Sequence, residues 1–219
     1  MTKLISRVAD RTVVISDGLR SAYIRSGTPP LRLSVVRDAA DRVEVEPRRV
    51  EEIRQRLNLP KSRFALYVGR IARDKGVDSL AAASAHTATP IVVIGDGPMR
   101  QELSNRYPNV QFISQTSYED LPYVLASAAV LVIPNSATSQ DMATFTSPLK
   151  AFAYIAAQKP IVASRVPALE EIFKDQVVYA EPDSPRSLAH AIDTAAAPPK
   201  LQVYSWLERA RDLVRVSAL

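Results

Sequence analysis

Phe64-Ala-Leu-Tyr-Val-Gly-Arg-Ile-Ala-Arg-Asp-Lys-Gly76 is the stretch around which the rest of the chain can be read. Residues 64–68 form an apolar run of strand length, carrying aromatic and β-branched side chains, and Gly69 closes it. A short polar loop follows, and Lys75-Gly76 opens a helix. In an open α/β sheet, ligands gather at the carboxyl ends of strands, beside helix N-termini. Gly69 lets a ligand approach the backbone closely. Arg70 can grip two phosphate oxygens at once, and Lys75 adds a compact point charge. The stretch is a candidate diphosphate cradle. A plain strand-to-helix turn carrying two solvated cations fits it equally well.

Downstream of residue 64, apolar runs of strand length alternate with amphipathic segments. Strands are expected at 64–68, 91–94, 110–113, 130–133, 161–163 and 177–179. Helices are expected between them, at 77–86, 99–107, 118–127, 148–157, 167–173 and 184–195. Short connections and strict βα alternation argue for an α/β fold, a Rossmann-like doubly wound parallel sheet with helices on both faces. A final amphipathic helix over 203–216 carries the only tryptophan, Trp206.

Upstream, the pattern changes. Residues 1–9 read as the end of a helix, 12–15 as a short strand, and Ser16-Asp17 as the cap of a helix ended by Gly27 and Pro29-Pro30. Residues 33–36 form another short strand, 37–47 a polar linker, and 50–57 a helix stopped by Pro60. The strand at 12–15 lies outside the alternating block and is expected to lack neighbours there, as the trailing edge of another domain.

Composition narrows the chemistry. The 219 residues are 47% hydrophobic, enough for one sizeable core, and contain no cysteine, which excludes disulfides and thiolate metal sites. The two histidines, His86 and His190, lie far apart and read as ordinary helix residues. No apolar run reaches the roughly 18 residues of a membrane span, and the start shows no signal-peptide pattern, so a soluble cytoplasmic protein is expected. The net charge of +5 is uneven: residues 1–75 hold 17 Lys/Arg against 9 Asp/Glu, and the remainder 11 against 14. The arginines are scattered among acids without a basic run or interleaved aromatics, which argues against nucleic acid as a partner. No Asp-x-Asp pair suits a nucleotide-bound metal, and no serine has a histidine partner. No metal and no cofactor are expected.

Two further segments sit at strand-to-helix corners. Gly95-Asp96-Gly97-Pro98 follows the 91–94 strand, and Pro98 suits a first helical position, although Gly-Asp-Gly also makes ordinary turns. In Thr146-Ser147-Pro148-Leu149-Lys150, Ser147 is a good N-cap and Pro148 a good first helical residue. The free N–H groups of such a helix start form an anion site, and simple capping explains the same residues.

Taken in order, these pieces resemble the C-terminal, nucleotide-sugar-binding half of the group 1 (family 4 type) glycosyltransferases of GT-B fold. The resemblance rests on Gly-Arg-x-x-x-x-Lys-Gly (69–76), Gly-Asp-Gly-Pro (95–98), Ala128-Ala-Val-Leu-Val-Ile-Pro134, Thr146-Ser-Pro-Leu-Lys-Ala-Phe152 and Ala156-Ala-Gln-Lys-Pro-Ile-Val-Ala-Ser164. Tyr204-Ser-Trp-Leu-Glu-Arg-Ala210 is similar to the family's last helix, which crosses back onto the N-terminal domain. The resemblance implies a retaining hexosyltransferase that moves a sugar from a nucleotide-sugar donor (UDP- or GDP-sugar) to a glycan or lipid-linked acceptor, without a bound metal. It makes Arg70 and Lys75 the catalytic cations that neutralise the leaving diphosphate. It places Gly69, Gly95, Thr146, Ser147, Leu149 and Ala153 at the substrate.

The resemblance also implies an organisation. Residues 1–35 would be a remnant of the acceptor domain, 36–60 a linker and first helix, 61–200 the nucleotide-sugar-binding domain, and 201–219 the crossing helix. The expected partners are the donor, an N-terminal glycosyltransferase domain without which the chain is inactive, and a membrane surface touched peripherally through the acceptor. Three residues depart from the family pattern. Its paired glutamates, eight positions apart, fall at Phe145 and Ala153, and the second normally hydrogen-bonds the ribose. Gln158 stands where a helix-ending glycine is usual, at an expected cost of about 1 kcal/mol. Ser114 replaces a strand-end glycine. These departures keep open a second reading, a non-catalytic subunit that binds a partner protein.

Overall fold

A computed structural model describes residues 6, 9–138 and 149–217 of the chain. Its centre is a six-stranded, all-parallel sheet of strands β3 (Ala65–Val68), β4 (Ile91–Ile94), β5 (Gln111–Ile113), β6 (Val130–Ile133), β7 (Ile161–Ser164) and β8 (Val178–Ala180). The order across the sheet is β5-β4-β3-β6-β7-β8. Numbered from β3, this is the 3-2-1-4-5-6 order of a Rossmann-type, doubly wound fold.

The sequence dictates the layering. Strands β4 and β6, Ile-Val-Val-Ile and Val-Leu-Val-Ile, are buried along their whole length, as central parallel strands covered on both faces must be. Their side chains divide by alternation into two cores. Leu66, Val92, Ile94, Leu131 and Ile133 face helices α2 (Pro47–Arg56), α5 (Leu121–Ser127), α6 (Leu149–Ala156) and α7 (Pro167–Phe173). Tyr67, Ile91, Val93, Val130 and Val132 face α3 (Val77–Ala83), α4 (Arg100–Arg106) and α8 (Pro185–Thr194). The edge strands β5 and β8 are shorter and half-buried.

One pairing positions the site. β3 pairs with β4 over four residues, but with β6 only at Ala65↔Val130 and Leu66↔Leu131. Beyond Leu66 the two central strands part, and the carboxyl ends open into a crevice where the strand order reverses.

The upstream segment differs from the expectation for it. The strand over 12–15 has a neighbour: β1 (Thr12–Val14) pairs in parallel with β2 (Leu33–Val35), and Val36 N donates to Val14 O at 2.9 Å. Helix α1 (Asp17–Arg25), capped by Ser16 as expected, is the crossover that brings them together. The linker between β2 and α2 forms no helix or strand. Ala40 N donates to Tyr204 O at 3.2 Å, and Trp206 N donates to Asp41 Oδ1 at 3.1 Å. These bonds dock the linker beside the last helix, α9 (Trp206–Ser217). No helix among the described residues is long and apolar enough to cross a membrane.

Candidate functional site

The crevice is built by two glycine loops locked to each other at the ends of β3 and β4. Gly69 N donates to Ile94 O at 2.9 Å, and Ile71 N donates to Asp96 O at 2.8 Å. Gly95, at φ 147°, packs so closely that a Cβ there would stand 2.0 Å from Gly69 O. At the other end of the first loop Gly76 is left-handed, at φ 62°, and a Cβ would fall 1.9 Å from Pro134 O. Both positions therefore demand glycine, for conformation and for space. Tyr67 fixes the loop from below by donating its hydroxyl to Arg70 O at 2.7 Å. The Tyr154 hydroxyl, from α6, accepts from Val68 N at 2.9 Å.

Two cavities meet at Val68 and Gly69. The smaller, about 350 Å³, is lined by Arg70, Gly95, Asp96, Gln115 and Tyr118. The larger, about 740 Å³, is lined by Leu121, Leu125, Leu149, Lys150 and Ala153, with the linker residues Ala39 to Val43 and Trp206 closing its far side. A cleft of that size, mostly apolar with a few convergent polar groups, is the form small-molecule sites take.

A family model described as "Glycosyl transferases group 1" matches residues 62–197. The chain belongs to the group 1 glycosyl transferases. It is 32% identical over 146 residues to TuaC of Bacillus subtilis, a glycosyltransferase named for teichuronic acid biosynthesis, covering 65% of this chain and 35% of the relative. It is 30% identical over 129 residues to a GDP-mannose-dependent alpha-mannosyltransferase of Mycobacterium tuberculosis, covering 58% of this chain and 34% of the relative. In fold it is similar to Anabaena HepE, solved in complex with UDP and glucose, with a TM-score of 0.74 to 0.83 depending on the complex compared. In the complex with UDP and glucose the likeness has 17% identity and covers 98% of this chain and 64% of that one. The chain thus spans about a third of the length of these curated relatives.

In this group 1 chain the predicted site residues fall into four groups. Gly69, Arg70 and Gly95 meet at the crevice, with Arg70 exposed on it. Leu149 and Ala153 line the adjoining cavity. Lys75 lies on the same loop and is paired with Asp74 at 2.8 Å. Thr146 and Ser147, like Phe145, lie outside the described residues. The substitution at 158 has the expected conformation: Gln158 is left-handed, at φ 52°, just past the end of α6.

The sequence reading missed Lys150. Its Nζ is shut off from solvent without a hydrogen-bond acceptor among the described residues, and lies 3.9 Å from the centroid of the Tyr67 ring. Burial, helped by the nearby Lys75 charge, pulls its amine down to about 7, while Asp74 acts in the opposite sense. Burial also pushes the phenols of Tyr67 and Tyr154 well up, so both are neutral. One signal was available beforehand. A cation just after a Ser-Pro helix start opposes the helix dipole, and such a conflict needs a reason.

Proposed function

We propose that the chain is the donor-binding half of a retaining glycosyltransferase, taking a UDP- or GDP-sugar and passing the sugar to a glycan or lipid-linked acceptor. In this reading residues 1–35 belong to the acceptor side, 36–60 are the linker and first helix, 61–200 form the donor domain, and 201–219 the crossing helix. The bond from the anomeric carbon to the diphosphate oxygen breaks as the acceptor hydroxyl attacks, and negative charge accumulates on the departing diphosphate. Arg70 and Lys75 meet that charge, which is where electrostatic stabilisation contributes most to such a transfer. Gly69 presents its backbone to the phosphates, and Gly95 lets the second loop close against it. Thr146, Ser147 and Leu149 supply the helix-start contacts, and Ala153 lies toward the ribose.

The observation that carries this reading is the placement of Arg70 beside Gly69 and Gly95, at the point where the strand order reverses. Calorimetry with UDP and with GDP tests it. One of the two should bind, and Arg70→Ala should weaken that affinity by about tenfold or more, the scale of a charge-assisted hydrogen bond. Equal affinity in the variant would remove Arg70 from the diphosphate site. A second reading, a non-catalytic copy that binds a partner, draws on Ala153, a methyl group where the family pattern places a carboxylate. Failure to bind either nucleotide would favour it.

A further inference from the structure

We propose that Lys150 is a proton-coupled ligand of the diphosphate: its amine, buried against the Tyr67 ring without an acceptor among the described residues, takes up a proton and pairs with the anion when a diphosphate settles beside Gly69. The proposal rests on the donor-site reading above and adds to it a third cation, supplied by a different element. The geometry is specific. Lys150 Nζ lies 2.7 Å from where a Cβ on residue 69 would stand, so the glycine leaves it room against the loop backbone. Lys150 lines the larger cavity and Arg70 the smaller, and Gly69 is common to both, so an anion at Gly69 lies between the two side chains.

Among the described residues, the groups facing the amine do not balance a charge on it. Tyr67, from β3, offers only the face of a neutral ring. Tyr154, on the same helix, is a neutral phenol already bonded to Val68 N. Asp74, a carboxylate that acts on the amine, is engaged by Lys75, and that lysine repels a second ammonium. An ammonium buried without an acceptor is costly, and a cation–π contact offsets only part of the cost. Losing the proton is the cheaper state, in keeping with an amine held near 7. A diphosphate brings the missing negative charge and acceptor oxygens together, which reverses the balance. The proton comes from solvent, and no covalent bond changes.

The sign follows from linkage. Binding raises the amine's affinity for a proton, so the complex holds more protons than the free protein above the free-state value and the same number well below it. At pH 8 the uptake should approach about 0.9 proton per nucleotide bound, and at pH 6 it should fall to about 0.1. Calorimetry of UDP and GDP binding in two buffers of different ionisation enthalpy reads this number directly. Lys150→Met, similar in shape and content against the Tyr67 ring, should abolish the uptake at pH 8 and weaken binding about tenfold. Lys150→Arg, which keeps its charge at every pH, should retain most of the affinity and lose the uptake. Comparing the wild type with Lys150→Met also cancels any proton released by the nucleotide. Binding without buffer dependence at pH 8, or with the same dependence in Lys150→Met, overturns this proposal and leaves the donor site standing. No binding of either nucleotide overturns both.

Discussion

Gln158 holds a left-handed backbone, φ 52°, without the freedom of glycine. Part of the compensation is visible: its side-chain Nε2 donates to Ile155 O at 2.7 Å, a carbonyl that also accepts from Gln158 N at 3.2 Å. A left-handed non-glycine residue costs about 1 kcal/mol, and the partly exposed amide bond returns less than that. Gln158→Gly should therefore raise stability by about 0.5 kcal/mol, read as a higher denaturation midpoint at constant slope. A lower midpoint would show that the side-chain bond outweighs the strain. This conformation was legible in the sequence because a helix end demands it, whatever residue stands there. The state of Lys150 was not. Nothing in Ser-Pro-Leu-Lys says that Gly69, 81 residues earlier, will leave room for the amine, or that Tyr67 will face it.

At the scale of elements, the strands of both sheets could be read from apolar runs, but the partner of β1 could not. A three-residue strand carries too little pattern to choose a neighbour, and its pairing with β2 depends on how α1 packs. Helix α1 has no buried residue, so polar contacts hold it in place. Glu171, on α7, accepts from Asp17 N at 2.9 Å and Gly18 N at 3.1 Å, closing the helix N-terminus from outside. Arg37 bridges Glu171, at 2.9 Å, and Asp17. That cluster joins the β1–α1–β2 unit to the larger domain. Glu171→Ala leaves two amides without their acceptor and Arg37 with Asp17 alone. Amide exchange across 12–25 should quicken about tenfold, while Ala65–Val68 stays protected. Unchanged exchange over 12–25 would mean that the apolar contacts of Val14 and Leu33 hold the unit unaided.

For the molecule as a whole, βα alternation made the six-stranded sheet legible, because short right-handed crossovers leave few ways to order its strands. The shape of the crevice was less so, since its far wall comes from the linker at 39–43 and from Trp206, segments whose pattern announces only a loop and a helix. In the proposed reading the crevice is the donor side alone. Transfer between two substrates gains most of its rate from holding both in one geometry, and that requires a second face across the cleft. The 219-residue chain by itself should accordingly bind UDP or GDP and transfer no sugar, and activity should require an acceptor domain of a group 1 relative supplied in trans. Ala153→Glu sharpens the test. A carboxylate in the larger cavity could accept from the ribose hydroxyls, worth roughly 1.5–3 kcal/mol per charged hydrogen bond. It would also stand three residues from Lys150 on one helix face, near enough to pair with the amine and draw it from the diphosphate. The ribose bonds should win as long as the Lys150 amine keeps its place against the Tyr67 ring. Nucleotide affinity should rise about tenfold in this variant, and a fall would mean that the pairing with Lys150 dominates. Sugar transfer by the unmodified chain, with no second domain present, would overturn the half-enzyme reading.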